Sequence, residues 1–208
     1  MHEEALNEPR NQNGESGEEG SRSPSTPLRT GSGRVPERRA APNAPRVCAV
    51  LFDRDETLVV DVPFNGDPER VVPAPQAREL LDRLRSVGLP LAVVSNQSGI
   101  GRGFITREAM DAVNRRVDEL LGPFGGFFIC PHSAEDGCEC RKPKPKLIAD
   151  AARALGVDVA CCVVVGDRES DVEAARKAGA IPLRVEGPQG LALAVETILY
   201  WIEGSSSQ

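Results

Sequence analysis

The 208-residue chain is 40% hydrophobic and 27% charged, the balance of a folded domain in water. Its net charge of −6 argues against a general grip on nucleic acid or anionic lipid and leaves room for a local basic pocket. No apolar run nears the ~20 residues that cross a bilayer, and the Met-His-Glu-Glu start lacks the pattern of a secretory signal, so a cytoplasmic location is expected. Six cysteines in such a chain favour thiols or metal ligation over structural disulfides.

Residues 1–45 contain no aromatic side chain, and their only large apolar residues are Met1, Leu6, Leu28 and Val35. Ordering a residue costs about 1–2 kcal/mol, and so little apolar surface cannot offset that. The segment is expected to be a disordered leader, acidic at Glu3 to Glu19 and basic at Arg22 to Arg39. The folded domain is placed at 46–203, with a flexible tail at 204–208.

Val47–Phe52 is a continuous apolar run of strand length, as in a strand buried on both faces. Gln76–Val87 puts Ala77, Leu80, Leu81, Leu84 and Val87 at helical spacing before Gly88. Leu89–Ser95 predicts a second strand. Thr106 caps a helix with Met110, Val113, Val117, Leu120 and Leu121 on one stripe, closed by Gly122. Phe127–Ile129 predicts a third strand, Lys146–Leu155 a helix ending at Gly156, and Cys161–Val165 a fourth strand. Ser170–Ala178 predicts a helix, Ile181–Val185 a fifth strand and Leu191–Ile202 a closing amphipathic helix. This alternation is the pattern of a parallel sheet covered by helices on both faces: an α/β, Rossmann-like three-layer sandwich. The stretch between Thr57 and the first helix is too short to hold an inserted cap domain.

Three strand ends carry the chemistry. Asp53-Arg54-Asp55-Glu56-Thr57 follows the first strand, where open α/β sheets bind ligands. Two carboxylates two residues apart can divide nucleophilic attack on phosphorus from proton transfer to the leaving oxygen. Ser95 and Asn96 end the second strand, and the Gly-rich turn Gln97–Gly103 follows, a cradle for an anion. Asp167 and Asp171 follow the fourth strand. Asp53, Asp55 and Asp167 would repel one another unless a divalent cation sat among them, and oxygen ligands with phosphate chemistry favour Mg²⁺. Arg141-Lys142-Pro143 supplies cations for phosphate oxygens.

In order, Asp53/Asp55, Ser95, Lys142 and Asp167/Asp171 resemble the four motifs of the haloacid dehalogenase superfamily of aspartyl-phosphate phosphohydrolases. The resemblance spans Val47 to about Val185. It implies Asp53 as nucleophile, Asp55 as acid/base, and Ser95 and Lys142 as ligands of the transferring phosphoryl group. It also implies Mg²⁺ held by Asp53, the Asp55 carbonyl and Asp167, with Asp171 in support. The superfamily usually has Gly where Glu56 stands.

Cys130-x-His132-x5-Cys138-x-Cys140 can surround one Zn²⁺ tetrahedrally, a closed structural site. Cys48, Cys161 and Cys162 lie in predicted strands and read as buried core thiols. A metal loop running into Arg-Lys-Pro, together with Ser-Asn-Gln-Ser-Gly-Ile, is similar to the subfamily of heptose bisphosphate phosphatases and histidinol-phosphatases. That resemblance implies a small phosphorylated sugar as substrate, with hydrolysis at C7 of D-glycero-D-manno-heptose 1,7-bisphosphate. Arg141, Asn96 and Gln97 would line the pocket, Arg168 would sit beside the metal ligand, and Arg102 or Arg141 would meet a second phosphate. Histidinol phosphate or another small monoester is the alternative. A polynucleotide 3′-phosphatase lacks this zinc loop, and a non-catalytic zinc-stabilised module has no need of all five catalytic-type residues. An uncapped domain of this kind is expected to be a monomer.

Overall fold

The computed structural model describes residues 44–205. The expected leader therefore falls outside the described residues up to position 43, as does the end of the tail. Strands β1 (Ala49–Phe52), β2 (Leu91–Asn96), β3 (Phe127–Cys130), β4 (Cys162–Gly166) and β5 (Ile181–Arg184) form one sheet in the order β3-β2-β1-β4-β5. Every neighbouring pair is parallel. The helices are α1 (Ala77–Ser86), α2 (Arg107–Leu121), α3 (Lys146–Leu155), α4 (Glu169–Ala178) and α5 (Gly190–Ser205). Two 3-10 turns, Pro68–Arg70 and Val159–Cys161, were not expected; each begins with an aspartate, Asp67 or Asp158, whose carboxylate accepts a backbone N–H.

Alternating side chains of each central strand point to opposite faces, and two cores result. Val50, Phe52, Leu91, Val93, Val163 and Val165 face one, where α1, α2 and α5 bring Leu81, Leu121 and Ile198. Ala49, Leu51, Ala92, Val94, Cys162 and Val164 face the other, where α3 and α4 bring Ile148 and Ala175. The continuous apolar runs of the sequence thus belong to strands buried on both sides. Thr106 caps α2 as expected, its Oγ1 accepting the Ala109 N–H at 3.1 Å. Gly156 and Gly179 end α3 and α4 in the left-handed region, at φ of 69° and 79°. Between Thr57 and α1 the chain forms only the short turn at Pro68–Arg70 and isolated bridges, so no cap domain stands there. Among the described residues no helix is long and apolar enough to cross a membrane.

One expectation is corrected. Cys48 and Cys161 do not remain core thiols but form a disulfide across 113 residues of sequence, with Cα atoms 5.2 Å apart. The cause is the β1–β4 register. Ala49 lies opposite Cys162, and the Cys48 N–H donates to the Cys161 carbonyl at 2.8 Å, so the pairing follows only once these strands are neighbours. Cys162 is a buried free thiol as expected, pushed up to about 11 by burial and then by Asp158.

Candidate active site and metal centres

The chain leaves β1 towards β2 on one side, and β4 adds on the other, so the sheet's topological switch lies between β1 and β4. Such a switch opens a crevice at the carboxyl ends of the strands. Asp53 and Asp167 emerge there, and the Asp53 N–H is tied to the Val165 carbonyl at 2.8 Å. Carboxylate oxygens of Asp53, Asp167 and Asp171 come within 4.8 Å of one another. That spacing suits a hard cation with oxygen ligands.

Lys142, 3% exposed, reaches this cluster from the end of the metal loop. Its Nζ donates to Asp53 Oδ1 at 2.8 Å and to the Val94 carbonyl at 2.8 Å, and it meets Asp171 Oδ1 at 2.6 Å. Burial pulls the ammonium down, but Asp53 and Asp171 outweigh it and hold the group above its ordinary value. Asp171 is further committed through Oδ2, which accepts the Arg168 N–H at 3.0 Å at the start of α4. A side chain on Gly166 would collide with the Asp171 carboxyl group, which is why β4 ends in glycine. Asp53 and Asp167 are then the carboxylates left for a cation. Burial, opposed by Lys142, raises Asp53 above the usual range. Burial, then the Glu56 hydrogen bond and the Asp53 charge, pushes Asp167 up to about 6.

A cavity of about 180 Å³ is walled by Asp53, Asp55, Ser95, Arg141, Lys142 and Arg168, among others. Asn96 lies on its wall, but its amide is spent: Nδ2 donates to the Lys142 carbonyl and Oδ1 accepts the Lys142 N–H, both at 3.0 Å. Gln97 also differs from its expected place. It is buried, and its Nε2 donates to Asp55 Oδ2 at 2.8 Å and to Ser95 Oγ at 3.0 Å. It braces the site rather than lining it. Arg102 stands exposed outside this cavity, where its charge is felt by Glu135 of the metal loop. Arg168 pairs with Glu56 at 3.4 Å and with Asp167 at 3.5 Å. Arg54 was not singled out in the sequence. It is 2% exposed and forks onto Asp55. A charged residue in an acidic loop gives no sign of inward burial.

On the far side of Asp167 lies a cavity of about 610 Å³, with Glu56, Asp61 and Glu186 among its walls. Burial, then Asp55 and Glu56, raises Asp61 above its ordinary value. Glu56 sits at φ 57°, in the left-handed region, which explains why a glycine suits that position.

The second centre is the loop after β3. Cys130 Sγ lies 3.6 Å from Cys138 Sγ and 3.7 Å from His132 Nδ1. Cys140 Sγ lies 3.7 Å from Cys138 Sγ and 3.3 Å from His132 Nδ1. Tetrahedral zinc needs S···S near about 3.8 Å and S···N near about 3.6 Å, from Zn–S of ~2.3 Å and Zn–N of ~2.0 Å. The donor set and spacing fit. Burial chiefly pushes the Cys130 thiol up to about 12, a proton that a cation must displace. The loop is moored to the active site: Gln97 N–H donates to the Cys130 carbonyl at 2.7 Å, Gly101 N–H to the Pro131 carbonyl at 2.8 Å, and Arg141 Nη1 to the His132 carbonyl at 3.2 Å.

The haloacid dehalogenase-like hydrolase family matches residues 64–179. D-glycero-beta-D-manno-heptose-1,7-bisphosphate 7-phosphatase of Pseudomonas aeruginosa is 35% identical over 147 residues, 68% of this chain and 83% of that protein. The enzyme of the same name from Bordetella bronchiseptica is 33% identical over 146 residues, 68% of this chain and 82% of that one. A crystal structure of D,D-heptose 1,7-bisphosphate phosphatase from B. bronchiseptica, complexed with magnesium and phosphate, superposes with a TM-score of 0.66 at 30% identity. It covers 74% of this chain and 98% of the other.

Proposed function

The chain belongs to the haloacid dehalogenase-like hydrolases and is a phosphoric monoester hydrolase; from that premise we propose that it dephosphorylates a small sugar phosphate, D-glycero-D-manno-heptose 1,7-bisphosphate at C7. The carrying observation is the meeting of Asp53, Ser95 and Lys142 on one small cavity with Asp167 beside Asp53.

In this reading an Asp53 oxygen attacks phosphorus and the bond to the sugar oxygen breaks, leaving an aspartyl phosphate. Asp55 gives its proton to the departing oxygen. It then takes a proton from the water that attacks phosphorus and frees Asp53. Lys142 and Ser95 hold the equatorial oxygens, where charge spreads during transfer. Asp53 and Asp167, with the Asp55 carbonyl, would hold Mg²⁺, which neutralises phosphate charge when bound. Zn²⁺ on Cys130, His132, Cys138 and Cys140 would fix the loop that presents Arg141 and Lys142. The magnesium and phosphate of the Bordetella enzyme support the cation assignment.

The two cavities divide the substrate. Glu56, Asp61 and Glu186 would repel a second phosphate, whereas Arg141 would attract it, so a bisphosphate extends towards the metal loop. The acidic wall also favours a second reading, a phosphate ester with an ammonium group such as histidinol phosphate. A kinetic panel of heptose bisphosphate, histidinol phosphate and hexose bisphosphates with Mg²⁺ separates the two. The highest kcat/KM is expected on the heptose 1,7-bisphosphate. Preference for histidinol phosphate reverses the assignment, and silence on every ester overturns the mechanism.

A further inference from the structure

Asp55 is held by a side chain that the mechanism above does not use. Arg54 is 2% exposed and sits next to the proton-transfer aspartate. Its Nε donates to Asp55 Oδ1 at 2.9 Å and its Nη2 to Asp55 Oδ2 at 3.2 Å, a two-pronged fork. Its Nη1 donates to Asn114 Oδ1 at 2.9 Å, on α2 and sixty residues away in sequence. Asn114 is itself buried, on a stripe otherwise made of Met110, Val113, Val117 and Leu121. Its amide nitrogen turns to the Met110 sulfur.

Two polar side chains are therefore buried where apolar ones would pack at less cost. Removing a guanidinium from water costs several kcal/mol, and a fork to the adjacent residue closes no long loop that would repay it. The cost makes sense if the geometry of Asp55 is what matters. We propose that Arg54, clamped by Asn114, is a positioning residue that fixes the Asp55 carboxyl group for proton transfer to the leaving oxygen. The inference rests on the phosphatase reading given above. As the P–O bond breaks, the Asp55 proton passes to the sugar oxygen, and the carboxylate left behind is received by the two Arg54 donors and Gln97 Nε2. Oδ2 accepts from both Arg54 Nη2 and Gln97 Nε2, whereas Oδ1 accepts from Arg54 Nε alone, so the proton can leave and return through the second lone pair of Oδ1 without disturbing the fork. Proximity effects of this kind are steep, because a misplacement of about 1 Å can cost about 100-fold in rate.

Leaving-group dependence tests the role. p-Nitrophenol departs as a stable anion without a proton, whereas a sugar alkoxide needs one, and positioned proton transfer is worth about 10²–10⁴-fold. The full chain with Mg²⁺ is assayed for kcat/KM, which reports the first phosphoryl transfer, on p-nitrophenyl phosphate and on the best sugar phosphate of the panel. For Arg54→Met, kcat/KM on the sugar phosphate is expected to fall about 100-fold and on the aryl ester less than about fivefold. Arg54→Lys should regain part of the loss. Asn114→Leu should show the same asymmetry at about tenfold, and it keeps the test open should Arg54→Met not fold. Equal losses on both esters mean a structural role and overturn the proposal, as does no loss on either. A wild-type chain that cleaves neither ester sinks the phosphatase reading and this inference with it. A wild type that cleaves both while the variants lose activity uniformly sinks this inference alone.

Discussion

The two candidate metal centres are assembled in opposite ways. The carboxylate centre draws Asp53 and Asp167 from the ends of β1 and β4, neighbouring strands buried on both faces, and Asp171 from the first turn of α4. The thiol centre draws Cys130, His132, Cys138 and Cys140 from eleven consecutive residues with no strand or helix after β3. In the first, the sheet holds the ligands whether or not a cation is present, and Lys142 already offsets part of their repulsion. In the second, the ligands are themselves the scaffold. Geometry made by the fold should therefore survive loss of a ligand, while geometry made by a metal should not.

The largest test of that contrast is Asp53→Asn. Turnover should fall by at least about three orders of magnitude because the nucleophile is gone, while the melting temperature barely moves, read by steady-state assay and calorimetry. A collapse in stability would mean the sheet does not hold the centre unaided. Cys138→Ala should behave differently. Elemental analysis should show stoichiometric zinc lost, hydrogen exchange should speed up in the loop, and kcat/KM should drop about 10–100-fold through the displaced Lys142. Retained zinc, or full activity without it, would end the proposed coupling between the loop and the site.

A smaller effect concerns protons at the carboxylate centre. Asp167 sits at about 6 rather than its ordinary 3.8. Without a cation, this raised carboxyl lowers folding stability in full above about 6, and the penalty shrinks as the pH falls below that and is gone below the ordinary 3.8. A cation binds the carboxylate form, so protons displace it over the same window. The rise in melting temperature produced by Mg²⁺ at about pH 7.5 is expected to shrink at about pH 5; a pH-independent rise would place the ion elsewhere. The smallest effect is expected from Glu56→Gly. A left-handed residue other than glycine costs about 1–2 kcal/mol, a glycine costs about 0.5–1 kcal/mol in chain entropy, and the exposed pair with Arg168 adds at most about 1 kcal/mol. Stability should shift by less than about 1 kcal/mol in a denaturant titration, and titration of Asp167 should move down once the Glu56 carboxylate that accepts the Asp167 proton's hydrogen bond is gone.

How much was legible in the sequence follows the same divide. Val47–Phe52 and Cys161–Val165 read as strands buried on both faces because each is a continuous apolar run, and their bounds moved by two residues or fewer. The cysteine cluster was legible because its members are adjacent in sequence. What escaped depends on contacts between distant segments. The Cys48–Cys161 bond needs β1 beside β4. Gln97 turned inward because Asp55 and Ser95 both offer acceptors to its amide. Arg54 is buried because Asn114, on another element, meets it. No local pattern encodes such meetings.

The reciprocal pair between Asn96 and Lys142 has a consequence for how the protein would be charged with metal. Because Asn96 ends β2 and grips both sides of the Lys142 peptide, the ammonium group is either seated or withdrawn together with the whole loop. Preparations that differ in zinc content should then differ in the fraction of competent molecules, and so in kcat per chain, while the Michaelis constant of that fraction stays the same. With zinc in the loop, cellular zinc supply would act as a dial on the amount of competent enzyme, from a Cys/His cluster that is not among the walls of the cavity holding Asp53 and Lys142.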